Sequence, residues 1–290
     1  LRRQRLLGRD QRRHRDRLGI EGAAMQHAVG EQVEQVGPAG AAQRVPAPLR
    51  GGGAAADLDT MLAGLRLSRF EPGLLIELLP RLLNYLTVQV SEMFRDPHYF
   101  RALREQVVPH LRTYPSLKIW IAGCSHGEEL YSLAILFKEE GLYDRTLFYA
   151  TDINPDALAA AEMGIYPLDL IRRFTENHQK SGGHSSLSDY YRADHGRAIF
   201  DKRLRERVVF SDHSLVTDSV FAEMHLISCR NVMIYFDRDL QDRAVGLFRD
   251  SLVRRGFLGI GSKESLRFSA HADMFSEFVR EEKIYRRNTR

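Results

Sequence analysis

The sequence predicts an α/β fold, a mostly parallel sheet with helices on both faces. Three observations lead there. From about residue 114, strand-like and helix-like segments alternate, as they do in such sheets. Residues 119–134 run from an apolar strand through the small-residue turn Ala122-Gly123-Cys124-Ser125-His126-Gly127 into a helix. A second apolar strand, Thr146-Leu147-Phe148-Tyr149-Ala150-Thr151, ends in Asp152, where nucleotide-binding sheets hold ribose hydroxyls.

Along the chain, residues 1–56 come first. The first aromatic residue is Phe70, and residues 21–56 are dominated by Gly, Ala and Pro. Such a composition buries too little apolar area to offset its ordering entropy, so disorder is expected over 1–56. Arg2–Arg17 reads as a solvated tail, with a basic helix for an acidic partner as the alternative. Helical periodicity begins at Asp57, with Leu58, Met61, Leu62 and Leu65, then Leu74, Leu75, Leu78, Leu79, Leu82, Leu83 and Leu86. Pro72 suits a helix start and Pro80 interrupts one, so short helices are expected. With a further helix near 97–113 they form a helical N-terminal domain over 57–113.

The sheet domain occupies 114–290. Strands are expected near 117–122, 146–151, 206–211, 224–229, 257–262 and 281–286, with helices near 128–140, 154–162 and 238–253. Asn154-Pro155 is a helix start, which leaves a cap role open for Asp152. Residues 164–204 break the rhythm with Ser181-Gly182-Gly183 and short alternating pieces such as Asp189-Tyr190-Tyr191-Arg192, marking a small inserted subdomain near 181–204.

The turn at 122–127 carries the chemistry. A helix N-terminus favours phosphate, but Glu128 and Glu129 in the first helical turn repel one. The expected ligand is therefore a nucleoside cofactor without phosphates. S-adenosylmethionine fits, because carboxylates suit its ammonium and sulfonium groups and an acidic residue suits its ribose. Gly123 and Gly127 let the backbone turn tightly and approach the ligand.

Composition excludes other classes. Residues 1–56 hold 10 Arg against 5 acidic residues, whereas residues 57–290 hold 32 basic against 33 acidic, so the basic pI belongs to the N-terminal segment. The body lacks the basic face of a nucleic-acid-binding protein. The two cysteines, Cys124 and Cys229, sit in apolar sequence and provide no disulfide framework, and the eleven histidines show no metal-ligand spacing. With no apolar run of about 18 residues and no secretory leader, a cytoplasmic protein that does not insert into membranes is expected.

Four motifs in order, Ser91-Glu92-Met93-Phe94-Arg95-Asp96-Pro97, Ala122-Gly123-Cys124-Ser125-His126-Gly127-Glu128-Glu129, Thr151-Asp152-Ile153 and Cys229-Arg230-Asn231-Val232-Met233-Ile234-Tyr235-Phe236, closely resemble the chemotaxis receptor protein-glutamate O-methyltransferase family. The resemblance covers roughly residues 57–290. It implies a Rossmann-like S-adenosylmethionine-binding methyltransferase sheet with a small helical N-terminal domain and a small antiparallel β insert. It also implies methyl transfer to glutamate side chains of a methyl-accepting chemotaxis receptor or a similar acidic helical signalling protein, by a monomer.

By matching positions, the resemblance implies that Gln89, Ser91 and Arg95 line the cofactor from the domain junction, with Gly123 in the turn. Glu129 and Asp152 are to hold the amino acid end or the ribose, Ser214 and Leu215 the adenine side, and Arg230 and Asn231 the wall beneath. Arg95 and Tyr235 are expected beside the reacting carboxylate; their structural alternatives are an interdomain ion pair and a core aromatic. The chain departs from the family pattern at His126 (usually a small hydroxyl residue), Leu130 (usually Pro), and Gln89 and Ser214 (often Asn). The Gly-rich stretch before Asp57 replaces the segment that would supply basic docking helices, so the helical domain reads as truncated or divergent.

Two other sheet-based readings are weaker. A nicotinamide-dependent oxidoreductase calls for a Gly-x-Gly-x-x-Gly turn and a helix start free of carboxylates, and neither is present. A nucleic-acid methyltransferase calls for a basic body with stacking aromatics. A catalytically silent S-adenosylmethionine-binding adaptor in a signalling pathway is the alternative from another class, and intact Arg95, Asn231 and Tyr235 favour the enzyme.

Overall fold

A computed structural model of the chain describes residues 91–289. The expectations for residues 1–56, for the helices before residue 91 and for Gln89 lie outside the described residues.

The chain enters through α1 (Pro97–Ala102), a π-helical turn (Leu103–Val107) and α2 (Val108–Leu111). The first half of the sheet domain follows as β1 (Leu117–Ala122), α3 (Glu128–Glu139), β2 (Thr146–Asp152) and α4 (Pro155–Met163). Next come β3 (Ile165–Pro167), α5 (Ile171–Lys180), β4 (Tyr191–Asp194) and β5 (Arg197–Phe200). The chain ends with β6 (Val208–Asp212), β7 (Met224–Cys229), α6 (Arg238–Ser251), β8 (Leu252–Ile260), β9 (Phe275–Val279) and β10 (Ile284–Arg287).

Seven strands form one sheet in the order β6-β2-β1-β7-β8-β10-β9. The first five run parallel and the β9–β10 hairpin closes one edge antiparallel. A separate antiparallel sheet, β3-β5-β4, is the expected insert, and it begins earlier than 181 because β3 belongs to it.

Alternation along the strands divides the core between two faces. Ile119, Ile121, Phe148, Ala150 and Leu226 point to one side, where they pack with Leu130, Leu133, Ile135, Leu136 and Phe137 of α3. Trp120, Ala122, Ile227, Cys229 and Leu258 point to the other, against Ala244, Val245, Leu247 and Phe248 of α6. Trp120 is fully buried, and its indole N–H donates to Thr151 Oγ1 at 2.9 Å, which satisfies the one polar atom of the side chain.

Four elements differ from expectation. The helix near 97–113 contains the π turn because Pro109 has no N–H and its ring crowds the carbonyl four residues back; Val108 N–H bonds Leu103 O instead. Strand β8 starts at Leu252 rather than 257, with Arg255 at φ 65 interrupting its alternation. Helix α5 was not expected, since the buried set Ile171, Phe174 and His178 has helical spacing but places a histidine in the apolar stripe. Strand β9 was not expected either, because only its end residues Phe275 and Val279 are buried. Among the described residues no helix is long and apolar enough to cross a membrane.

Candidate active site

The strand order sets the location. From β1 the chain moves outward to β2 and β6, then crosses back to β7 on the other side of β1. Such a reversal opens a crevice beyond the C-terminal ends of the strands, where doubly wound sheets bind ligands. A cavity of about 350 Å³ lies there, lined from the ends of β1, β2, β6 and β7 and by Ser91 and Arg95.

The turn after β1 depends on glycine. Gly123 has φ 73, and a Cβ on it would lie 2.4 Å from Val232 Cγ2, so the residue at 123 must be small and left-handed for the two loops to close. Asp152 stiffens the same turn from the neighbouring strand. Its Oδ2 accepts Ser125 N–H at 2.8 Å and its Oδ1 accepts Asn154 N–H at 3.0 Å. Asn154 is the actual cap of α4, accepting from Asp156 and Ala157 N–H. Asp152 is thereby released from the cap role and lines the cavity.

The segment before α1 is pinned by its apolar residues. Met93 and Phe94 are fully buried, Phe94 N–H donates to Ser132 Oγ at 2.8 Å, and Asn177 Nδ2 donates to Met93 O at 3.1 Å. Phe94 and Asp96 both take positive φ, 52 and 56, a strained path for non-glycine residues that these anchors hold. The intervening Arg95 and the earlier Ser91 reach the cavity.

Arg230, at the end of β7, joins that segment to the turn. Its guanidinium donates to Asp96 Oδ2 at 2.6 Å, to Glu129 Oε2 at 3.2 Å and to Arg95 O at 3.2 Å, and lies 4.1 Å over the Tyr99 ring. Burial works against its charge, but Glu129, Tyr99 and Asp96 outweigh that and hold its pKa above the ordinary value. Tyr99 is pushed upward, by burial first and by Glu129 next, and its hydroxyl pairs with Ser228 Oγ at 2.8 Å.

Glu128 and Glu129 divide differently from the sequence reading. Glu129 does not line the cavity; it stands behind Arg230 as a partner of its charge. Glu128 is 5 % exposed, its Oε2 lacks a hydrogen-bond partner among the described residues, and burial pushes its pKa up to about 7 despite relief from its own backbone N–H and from Ser91.

The segment after Arg230 forms the floor and the rim. Asn231 is left-handed at φ 61, a 3-10 turn covers Met233–Tyr235, and Tyr235 is 57 % exposed at the cavity mouth. Ser214 lies on the opposite wall, where its Oγ accepts Val216 and Thr217 N–H and so shapes its own turn, and Leu215 supplies apolar surface beside it. His126, the departure in the turn, is absent from the lining, and its carbonyl accepts the Tyr166 hydroxyl from the insert at 2.8 Å.

The cavity thus brings together Ser91, Arg95, Gly123, Asp152, Ser214, Leu215, Arg230, Asn231 and Tyr235, while Glu129 stands behind Arg230 and Gln89 lies outside the described residues. Sequence reasoning did not assign Ser125, Ile153, His213, Val216, Val232, Ile234 and Phe236 to the site; His213 and Val216 flank Ser214 and Leu215 and the others lie within the quoted motifs, so proximity along the chain was the available signal. The residues present suit a cationic nucleoside cofactor. A strand-end carboxylate faces the cavity and apolar walls flank it.

Fold and cavity together define an α/β protein that holds a nucleoside cofactor at the strand ends of a doubly wound sheet. The family model described as CheR methyltransferase, SAM binding domain, matches residues 89–284, and the chain belongs to that family. It is an S-adenosylmethionine-binding methyltransferase. It is 56% identical over 218 residues to a Pseudomonas putida protein named "Putative methyltransferase Cher3", covering 75% of this chain and 78% of that one. A chemotaxis protein methyltransferase of Listeria innocua is 33% identical over 191 residues, 65% of this chain and 70% of the relative. A solved glycopeptide N-methyltransferase, MtfA, complexed with sinefungin is a distant likeness, at 10% identity and a TM-score of 0.35 over 59% of this chain and 50% of that one.

Proposed function

We propose that the protein transfers the methyl group of S-adenosylmethionine to glutamate side-chain carboxylates of a chemotaxis receptor or a similar acidic helical signalling protein, forming methyl esters. It acts in the cytoplasm as a monomer. The observation that carries this reading is that Arg95 and the exposed Tyr235 line one cavity with Asp152 and Arg230. The names of the relatives, chemotaxis protein methyltransferases, support the same reading.

A glutamate carboxylate is already ionised at neutral pH, so the acceptor needs no general base. Alignment and exclusion of water are what the site must provide. In this reading Arg95 holds the carboxylate through a charge-assisted bidentate pair, and the Tyr235 hydroxyl donates one more orienting hydrogen bond. Asp152 takes the ribose hydroxyls, Leu215 and Ile153 flank the adenine, and Arg230 fixes the floor on which Asn231 stands. When bound, S-adenosylmethionine would supply an electrophilic methyl group on a positively charged sulfur, and the neutral thioether left behind would balance the new C–O bond.

The test is incubation of the full chain with methyl-labelled S-adenosylmethionine and bacterial membranes containing chemotaxis receptors, followed by mapping of base-labile methyl esters. Labelled glutamate is expected. Arg95→Ala should lower kcat/KM by roughly 10- to 100-fold, the loss of one charged hydrogen-bonding partner. Confirmed cofactor binding without any labelled ester would instead assign the protein as an adaptor. Full activity in Arg95→Ala would remove that residue from the acceptor site.

A further inference from the structure

Glu264 lies in the loop after β8, outside all four motifs. It is 5 % exposed, yet its carboxylate is fully engaged by backbone amides. Oε1 accepts Val232 N–H at 3.0 Å, and Oε2 accepts Asn231 N–H at 3.1 Å together with Gly261 N–H. The two oxygens therefore bridge the C-terminal ends of β7 and β8, neighbouring strands of the sheet. The residue also lines a second cavity of about 340 Å³, which shares Ile234 with the first.

What the carboxylate holds is the conformation the cofactor floor requires. Asn231 occupies the left-handed region at φ 61, which asparagine tolerates better than other non-glycine residues but does not adopt by default, so the turn gains from an external constraint. Two charge-assisted bonds to consecutive amides of this turn supply that constraint. The effect continues inward, because Val232 abuts Gly123 so closely that a Cβ on the glycine would meet its Cγ2. It continues outward through the 3-10 turn to Tyr235 at the mouth. Gly261 completes the arrangement. A Cβ there would lie 2.8 Å from both Asn231 N and Glu264 Oε2, so only glycine allows the carboxylate to reach both strands.

We propose that Glu264 is a positioning residue of the methyltransferase, a clamp that sets the Asn231–Tyr235 floor and through it the cofactor turn at Gly123. The inference rests on the cofactor occupying the cavity assigned above. A side chain that served folding alone would alter stability and leave the folded protein's affinity unchanged. A clamp acts on affinity as well.

The experiment is calorimetric titration of the full chain with S-adenosylhomocysteine, alongside thermal unfolding, for wild type, Glu264→Gln, Glu264→Asp and Gly261→Ala. Glu264→Gln puts an NH2 donor against a backbone donor and should weaken binding at least tenfold at temperatures where the variant is folded. Glu264→Asp keeps the charge but shortens the reach, and should fall between Gln and wild type. Gly261→Ala displaces the carboxylate without altering it and should reproduce the loss. Phe248→Leu, in the α6 core away from the cavity, serves as the stability control, with a lower melting temperature and unchanged affinity. Affinities within twofold of wild type in folded Glu264→Asp and Gly261→Ala would overturn the clamp, even if Glu264→Gln did not fold. If Asp152→Ala also bound normally, the cavity assignment itself would fall.

Discussion

Replacing Glu128 by Gln should remove a loss of stability that the protein suffers as pH rises from about 4.5 to 7. The residue is buried at the start of α3, and burial raises its pKa from 4.5 to about 7. Between those two values the folded state binds a proton that the unfolded state has released, so this group lowers stability as pH rises from 4.5 to 7, and the effect is flat above 7. At roughly 1.4 kcal/mol per unit of pKa difference, the full window amounts to about 3 kcal/mol. Gln keeps the shape and the hydrogen-bonding capacity toward Ser91 without a charge. The variant should therefore match wild type below about pH 4.5 and exceed it by about 3 kcal/mol at pH 8, on the order of 6–12 °C in melting temperature for a domain of this size. Trp120, the only tryptophan of the chain, is fully buried and reports unfolding in urea directly. Glu139 titrates in the opposite sense: burial opposes its ionisation, but hydrogen bonds from His178, Ser185 and Arg104 outweigh that and lower its pKa to about 2. It is present in both proteins and cancels in the difference. Parallel stability curves for wild type and Glu128→Gln from pH 5 to 8 would refute the reasoning.

Two further outcomes follow from the cavity. Asp152→Ala removes the strand-end carboxylate together with the acceptor for Ser125 and Asn154 N–H, and should weaken S-adenosylhomocysteine binding roughly 10- to 100-fold by titration calorimetry. Gly123→Ala should lower both affinity and melting temperature, and adding Val232→Ala should recover part of each by removing the clash; the left-handed strain at φ 73, of order 1–2 kcal/mol, should persist in the double variant.

Strands β1, β2 and β7 were legible because their apolar residues are buried on both faces and their ends are marked by turn residues. Strand β9 and helix α5 were not, since one buries only its ends and the other carries His178 in its core stripe. Most of the cavity was readable because its residues cluster in short motifs at strand ends. The chemistry of adjacent glutamates was not, because chain position alone does not tell which carboxylate faces Arg230 and which is buried beside Ser91. Glu264 was invisible for a similar reason. Gly261-Ser262 closes an expected strand and Lys263-Glu264 follows it as ordinary polar residues, and the role of Glu264 exists only across about 30 residues of chain, in bonds to amides that carry no side-chain signature.

The π turn at Leu103–Val107 directs Arg104 inward, where it pairs with Glu139 at 2.7 Å and Glu140 at 2.8 Å. A widened turn holds one residue more than a regular helix needs over the same rise, and each residue rotates a helix by roughly 100°. Removing a single residue between 103 and 107 would restore ordinary helical spacing and at the same time swing the flanking segments out of phase. Either Arg104 would leave its carboxylates or Tyr99 and Phe100 would leave the core. The helix therefore tolerates changes of side chain more readily than changes of length.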